Sequence, residues 1–434
     1  MDGERSLPGR ARGEAYQYME KDTTKGEPCL PHRAHPRGRS SLSIDRFRHE
    51  SYVYWTVIVR THSAINLRVR NRVSMSRLTA LRRALRDQKL DRIIITSPEH
   101  VRYLSGFSGS SGWLIVGPQE QVLLTDFRYR EQAAEEAPAC SVFLAKNGLP
   151  AAVREVADRW NRGRVGFESA YLTMREYQSL SAPPSGGEPL LAVEWVPTER
   201  LVESLMMVKD ADEISKIAKA AEITDRAFAE VLPFVKPGVA EREVAAEFEY
   251  RARRLGADRA AFPPIVASGP NAALPHAQPT DRQIADGDMI ILDFGASYAG
   301  YASDMTRTLA VGSVSDKLRQ VYDIVAHAQQ AALDAVRPGI SGVDLDHVAR
   351  SYIAEQGFGE AFGHALGHGV GLRVHDVPSI SWRSQDTLVE GMVATIEPGV
   401  YLPGWGGVRI EDLVVITATG KTILSHTSKA LRAL

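Results

Sequence analysis

The sequence predicts an α+β chain in two unequal parts: a small α/β domain, then a larger domain whose halves repeat one another. Three observations carry this. From Met75 to about Arg200, short apolar runs alternate with helical stretches. Beyond that, the order helices-then-strands occurs twice. The two occurrences also share residues. Val235-Lys236-Pro237-Gly238-Val239, running to Leu255-Gly256, is echoed by Val336-Arg337-Pro338-Gly339-Ile340, running to Gln356-Gly357. Downstream, Gly287 with Asp293 and Gly295 is echoed at the same spacing by Gly391 with Glu397 and Gly399, and each half then adds a second acid, Asp304 or Glu411. A unit that ends twice in paired carboxylates predicts a pseudo-two-fold site fed by both halves.

Composition sets the outer limits. A chain of 434 residues exceeds one ordinary core, so two domains are expected. A net charge of -1 gives no global attraction to nucleic acid or an anionic membrane, and neither is expected as a partner. Cys29 and Cys140 are too few for a disulfide framework, and their expected reduced state fits the cytoplasm. No apolar run approaches the roughly 20 residues needed to cross a bilayer. The stretch from Tyr52 to Val59 is short, ends at Arg60 and lacks a cleavage pattern, so no signal peptide is expected. Residues 1–74 differ from the rest, with scattered Arg, Pro, His and Gly, no sustained period and an excess of basic side chains. Such an arm could bind nucleic acid. Its composition favours a disordered extension, or sequence upstream of the true start.

The elements follow in order. Met75 opens a helix marked by Leu78, Leu81, Leu85 and then Leu90. Strands are expected at Asp91–Thr96, Trp113–Val116, Val122–Thr125, Val142–Leu144 and Val165–Phe167, with a helix from Ala151 to Trp160. Ser105 to Gly112 is Gly/Ser-rich but lacks the lysine of a phosphate loop. The first domain is thus set at residues 75–200, with Trp195 to Val208 as the connection and the second domain at 207–434. There, Ile214, Ile217, Ala221, Phe228 and Val231 mark one apolar helical face, and Val244, Phe248 and Leu255 mark the next. The second helical pair spans Leu318 to Val336 and Val343 to Gln356. Strands are expected at Met289–Leu292, Thr306–Val311, Val393–Ile396, Val408–Ile410 and Leu413–Ile416.

Chemistry concentrates in three segments. Met289 to Ser297 and Tyr301 to Val311 should form a hairpin around Ala299-Gly300. Asp293 then faces Thr306, with Asp304 as its diagonal neighbour on the same sheet face. Two carboxylates on a half-buried face repel unless protonated or neutralised, and a metal accounts for both. Next comes a Gly-rich segment with His364, His368 and His375, where the backbone can approach a ligand closely. It lacks the glutamate of His-Glu-x-x-His, and its glycines oppose a helix. Finally, Glu397 precedes Pro398, and Glu411 lies among apolar residues where an unpaired charge would be costly. Asp293, Asp304, Glu397 and Glu411 with one imidazole form an oxygen-rich set suited to two divalent metal ions, manganese first, with cobalt, zinc or iron(II) as alternatives.

These motifs resemble one family. From Met75 onward the chain is similar to the pita-bread metallopeptidases of the Xaa-Pro group, aminopeptidase P and prolidase, with a creatinase-like N-terminal domain. The resemblance rests on Asp293-Phe-Gly, Ser303-Asp304-Met-Thr-Arg-Thr, His364-x3-His368-Gly-x-Gly, Val374-His375-Asp376, Ile396-Glu397-Pro-Gly and Arg409-Ile-Glu411-Asp. It implies that Asp304 and Glu411 bridge the metals, with Asp293 completing one and His368 and Glu397 the other. Glu397 would also accept the nucleophile's proton. His364 and His375 would line the substrate site and stabilise the tetrahedral intermediate, and His276 would shuttle a proton or position substrate. Arg409 would orient the acids. Short proline-containing peptides are the implied substrates, and a homodimer is expected.

Within this group the Phe107–Gly112 and Thr125–Tyr129 segments resemble those of aminopeptidase P-like proteins, which favours removal of the first residue from X-Pro-Y peptides. The alternatives are a dipeptidase, then a methionine aminopeptidase, then an inactive pita-bread binding module. Arg307 and Arg373 are candidate cations for a dipeptide's carboxylate. Removing residues 1–74 should leave activity and melting temperature nearly unchanged. A large loss of either, by peptide hydrolysis or calorimetry, would show that the arm packs onto the body.

Overall fold

A computed structural model describes residues 76–160, 163–181 and 193–434. Expectations for residues 1–74 lie outside the described residues. The N-terminal part holds a six-stranded mixed sheet in the order Ser141–Leu144, Gln121–Thr125, Gly112–Val116, Arg92–Ile95, Gly163–Glu168, Val193–Thr198. Leu78, Leu81 and Leu85 of the opening helix are buried against one face. The helix Leu149–Ala157 covers the other with Val153 and Val156. The Gly/Ser segment serves structure. Gly106 (φ 87°) ends the helix Pro98–Ser105, and a Cβ on Gly109 would meet the Phe107 ring at 2.2 Å. One expectation is corrected here. Trp195 to Val208 is no plain connection: Val193–Thr198 pairs in parallel with Gly163–Glu168, and Leu201–Met206 is helical.

The C-terminal part is the pita-bread fold, and its repeat is visible atom by atom. In the first half the helices Ala211–Val231 and Glu241–Arg254 pack on a sheet ordered Met305–Ala310, Met289–Phe294, Ile265–Ser268. In the second, Asp316–Ala335 and Gly342–Glu355 pack on Asp376–Ile380, Gly367–Gly369, Val393–Ile396, Asp412–Ile416, Lys421–Ile423. The Pro-Gly turns superimpose in kind. Gly238 and Gly339 have φ 88° and 87°, their N–H groups donate to Ile284 O at 2.9 Å and Leu388 O at 2.8 Å, and each turn is followed by one bridge, Ala240 to Gln283 and Ser341 to Thr387. Further along, Gly287 N donates to Val311 O at 2.7 Å and Gly391 N to Ile416 O at 3.0 Å.

The hairpin around Ala299-Gly300 forms in two pieces. Tyr298 pairs with Tyr301, and the turn residues have the positive φ values (48° and 83°) that a two-residue turn requires. Thr306 pairs with Asp293, as the alternation predicts. The ladder is interrupted between them, and Ala296–Tyr298 joins a separate sheet with Arg259–Ala260. Gly295 is the cause: a Cβ there would lie 2.2 Å from Ser303 O, so the strands approach and cross where a regular ladder would hold them apart. Likewise the strand near Val408 is Gly406–Arg409, paired with Gly399–Leu402 outside the main sheets.

The equivalence of the two Pro-Gly turns should be energetic as well as geometric. No atom lies within 4 Å of a Cβ built on Gly238 or Gly339, so Gly→Ala at either costs only backbone strain, about 1 kcal/mol. The two variants should lower the melting temperature equally. A fall for one alone would mean that the turns bear different loads.

Candidate metal centre and substrate cavity

Both halves deliver acids to one point. Asp293 ends a strand whose neighbours Ile291 and Leu292 are buried, and Asp304 follows the hairpin turn. Glu411 sits between Gly406–Arg409 and Asp412–Ile416, its N–H bonded to Thr306 O at 3.1 Å, so the second half is stitched to the first at the site. One carboxylate oxygen from each of Asp293, Asp304 and Glu411 lies within 4.8 Å of the others, and all three side chains are buried. His368 Nε2 stands 3.7 Å from Asp304 Oδ2 and 3.3 Å from Glu397 Oε1. The five residues expected at the metals therefore converge.

Their hydrogen bonds leave specific atoms open. Arg409 donates to Asp293 Oδ2 at 2.6 Å, to Thr306 Oγ1 at 3.0 Å, to Tyr401 OH at 2.9 Å and to Pro275 O at 3.1 Å. Thr306 in turn donates to Glu411 Oε2 at 2.7 Å. Asp293 Oδ1 and Glu411 Oε1 are buried without any partner. Orphaned acceptors of this kind are rare in a folded interior and fit a bound cation. His368 Nδ1 lies 3.0 Å from Gly369 O, which assigns it the proton and leaves Nε2 as a ligand atom. The residues present thus fit a divalent metal.

Electrostatics agree. Burial, then the charges of Glu411, Asp293 and Glu397, push Asp304 well above the usual carboxylate range. Burial and the charges of Glu397 and Asp293 do the same to Glu411. Burial also raises Asp293, against the pull of Arg409. Glu397 goes the other way: burial opposes its charge, but the hydrogen bond and charge of His368 outweigh it and hold the carboxyl at about 2.

A cavity of about 450 Å³ opens over these groups. Phe262, Pro263, Ile265 and Pro275 form an apolar wall, and His276, His364, His375, Gln278 and Ser379 are also at its surface. The loop carrying Pro275 and His276 is tied down by buried Glu241, which accepts from Ser268 N at 2.7 Å, Thr280 Oγ1 at 2.6 Å and Asn271 Nδ2 at 3.1 Å. The His364 ring is committed at both nitrogens, Nδ1 to Ala365 O at 2.8 Å and Nε2 to Tyr401 OH at 3.0 Å, and burial lowers its pKa. Its loop is held by Arg350, which donates to Phe362 O and His364 O and pairs with Asp346. Among the described residues none hydrogen-bonds the His375 ring, which stands 4.4 Å from that of His368.

Two expected cations are corrected. Arg307 is buried and bonds Asp412, Glu411 O and Thr427 O, while Arg373 points to Ser97 and Glu99, so neither reaches the cavity. Sequence reasoning missed Thr306, Tyr401 and Thr395, the last donating to Glu397 at 3.0 Å. Thr395 and Tyr401 flank the quoted Glu397 motif and Thr306 lies in the Asp304 motif, but nothing in their spacing marked hydroxyls as links between acids.

A buried, cation-fitted cluster of acids and an imidazole under an apolar-walled cavity is the arrangement that metal-dependent hydrolysis uses. Comparison with known proteins narrows that class. A model of metallopeptidase family M24 matches residues 215–418, and one of the creatinase/prolidase N-terminal domain matches residues 77–208. A Xaa-Pro dipeptidase of Pyrococcus furiosus is 39% identical over 356 residues, covering 82% of this chain and 99% of that protein. Among solved structures, a Xaa-Pro dipeptidase from Bacillus anthracis is 39% identical with a TM-score of 0.78, over 83% of this chain and 100% of the other. An X-Pro aminopeptidase from Thermotoga maritima is 37% identical with a TM-score of 0.73, over 81% and 100%. The chain belongs to metallopeptidase family M24. Among the described residues no helix is long and apolar enough to cross a membrane.

Charge crowding at Asp304 gives a signed prediction. A carboxyl whose folded-state pKa is raised destabilises the fold above that pKa, and the penalty fades as pH falls toward its unfolded value near 4. Metal-free Asp304→Asn should therefore melt higher than metal-free wild type near pH 7, and the gap should shrink on acidification. Loaded with Mn²⁺ the order should reverse, because the variant loses a ligand charge. A metal-free variant that melts lower at pH 7 would refute the crowding.

Proposed function

We propose that the chain is a Xaa-Pro dipeptidase that holds two divalent cations on Asp293, Asp304, His368, Glu397 and Glu411. The observation that carries this is the convergence of those side chains, with unpartnered oxygens, beneath a cavity walled by Phe262, Pro263, Ile265 and Pro275. The wall suits a prolyl ring. Its dipeptidase relatives match nearly end to end and support the dipeptide over the longer substrates that the N-terminal motifs suggested.

Held by those five residues, two cations would supply an activated water and a polarised scissile carbonyl. The chain's own groups do the rest. Asp304 and Glu411, one acid from each half, would help hold the cations. Glu397, ionised at neutral pH, takes the nucleophile's proton and passes it toward the leaving proline nitrogen, with His276 beside the path. Arg409 fixes Asp293 and, through Thr306, Glu411, so that both acids present one oxygen to the metals. His364 is aligned by Tyr401. His375, free of other bonds, offers its ring to the substrate.

One observation favours the second reading, an aminopeptidase acting on longer X-Pro peptides. Among the described residues at the cavity surface the sole Lys or Arg is Arg409, already bonded to Asp293, so no spare cation greets a dipeptide's carboxylate. The two readings separate on kcat/KM for X-Pro against X-Pro-Y-Z with the same first residue and Mn²⁺. The dipeptide should be preferred by about tenfold or more, roughly 1.4 kcal/mol in the transition state. The opposite preference selects the aminopeptidase, and no cleavage before proline by metal-loaded protein rejects both.

A further inference from the structure

The groups placed above in the reaction all lie in the C-terminal domain, yet the segment carrying His375 is anchored to the N-terminal one. Because the His375 ring has no hydrogen bond of its own, its place is set by its backbone. Two residues earlier, Arg373 turns its guanidinium away from the cavity. Its Nη2 donates to Ser97 Oγ at 2.6 Å and to Glu99 Oε2 at 3.2 Å, and its Nη1 donates to the Tyr171 hydroxyl. The guanidinium carbon also lies 4.3 Å from the centre of the Tyr171 ring.

Those partners are themselves fixed. Tyr171 packs edge-on against His100 at 5.0 Å, and His100 Nδ1 bonds Glu168, both fully inside the N-terminal domain. Glu168 accepts from the backbone N–H of Thr96 at 2.6 Å and of Ser97 at 3.0 Å, so the strand end that presents Ser97 to Arg373 is pinned from behind. A bidentate guanidinium held by a hydroxyl, a carboxylate and an aromatic face has little freedom.

A second anchor holds the other side. Asp376, next after His375, has a side chain only 4% exposed, with Oδ1 accepting from Val377 N at 2.9 Å and Oδ2 unpartnered. That oxygen lies 3.9 Å from Nζ of Lys209, whose side chain is 1% exposed and lies just beyond the helix Leu201–Met206. Buried charges in this state are retained by each other. His375 is thus suspended between two contacts that both reach outside its own sheet.

We infer that Arg373, through Ser97, Glu99 and Tyr171, is a positioning residue for His375, so that the N-terminal domain of the same chain sets where this imidazole meets the substrate. The effect on rate rests on the peptidase reading above. The effect on the ring does not.

The full chain is tested with Arg373→Ala, Arg373→Lys, Glu99→Gln and, as a control on domain contact alone, Arg77→Ala. Arg77 pairs with Asp210 and Glu213, and none of the three lines the cavity. Arg373→Ala should lower kcat/KM for an Xaa-Pro substrate by about tenfold with bound metal unchanged, and Glu99→Gln should lower it less. The double variant should lose no more than Arg373→Ala, because both changes cut one link. Arg373→Lys should recover part of the loss. Arg77→Ala should lower the melting temperature and leave kcat/KM within about twofold. In ¹³C-histidine-labelled protein the His375 ring resonance should move with Arg373 and Glu99 but not with Arg77. If Arg373→Ala fails to fold, Glu99→Gln and Arg373→Lys carry the same comparison. An unmoved His375 resonance overturns the inference, as does an equal rate loss in Arg77→Ala. If wild type cleaves no proline peptide while the resonance still follows Arg373, the positioning stands and the proposed function falls.

Discussion

Charge crowding at one buried point organises this protein. Asp293, Asp304, Glu397 and Glu411 meet where water is scarce, and like charges in such a medium repel by several kcal/mol. The chain answers with only two groups at close range: Arg409 at Asp293 and His368 at Glu397. Asp304 has His368 Nε2 only at 3.7 Å and Glu411 has the Thr306 hydroxyl, and burial with the neighbouring carboxylates pushes the pKa of both well up. Among the described residues at the cavity no further Lys or Arg offsets the crowding, which protons or bound cations would relieve. Much else follows. Thr306 must sit between Arg409 and Glu411, and the backbone must come close enough at Gly407 that a Cβ would strike Ala272 O at 2.3 Å.

Duplication is how a single chain brings so many acids together. Each half provides a helical pair, a glycine in the left-handed region after Pro, and a strand with an acid within one residue of its end. Acids at equivalent strand ends face one another when the halves pack, without either half having to hold all the charge alone. Symmetry then breaks where chemistry requires it. At the start of the second helix the first half has Glu241, whose carboxylate fixes the His276 loop, while the second half has Gly342, packed so closely that a Cβ would touch Ser384 Oγ at 2.4 Å. The second half instead places histidines, with His368 on a strand next to Val393–Ile396.

The sequence made some of this legible and hid the rest for physical reasons. Alternation and a two-residue turn were enough to set Asp293 opposite Thr306, because register in a short hairpin follows from the turn. The break at Gly295 was invisible: it depends on an approach to Ser303 O that no local pattern encodes. The stretch Trp195 to Val208 reads locally as a connection, and only the parallel partner Gly163–Glu168 makes Val193–Thr198 a strand. Uncharged links such as Tyr401 and Thr395 carry no signal of their own. Arg373 and Ser97 are separated by 276 positions, so their contact is a property of the tertiary fold. The relatives favour the alternative to the substrate-length expectation, and the segments behind that expectation have a structural role. Phe107–Gly112 and Thr125–Tyr129 pack against one another, with Thr125 bonded to Ser111 O at 2.6 Å and Asp126 capping Arg128 N at 3.0 Å. They report the shape of the N-terminal domain and say little about what lies beyond a substrate's proline.

The same charge arithmetic bears on how a substrate is held. With two dications in place, the four carboxylates and Arg409 would leave the centre slightly positive. That suits a carbonyl turning into an oxyanion in a cavity where the apolar wall keeps the dielectric low. It also bears on the far end of a dipeptide. A free carboxylate at the cavity surface would meet no uncommitted Lys or Arg among the described residues, only imidazoles, Gln278 and Ser379. Selection of a dipeptide would then rest less on a salt link than on the excess charge of the metals and on polar groups placed to the correct depth. Burial lowers the pKa of His364 and His375, so these rings enter the site neutral at pH 7. Of the two only His375 has an uncommitted ring nitrogen among the described residues, and a neutral imidazole there can donate a hydrogen bond to a carboxylate or an oxyanion without adding to the small positive excess.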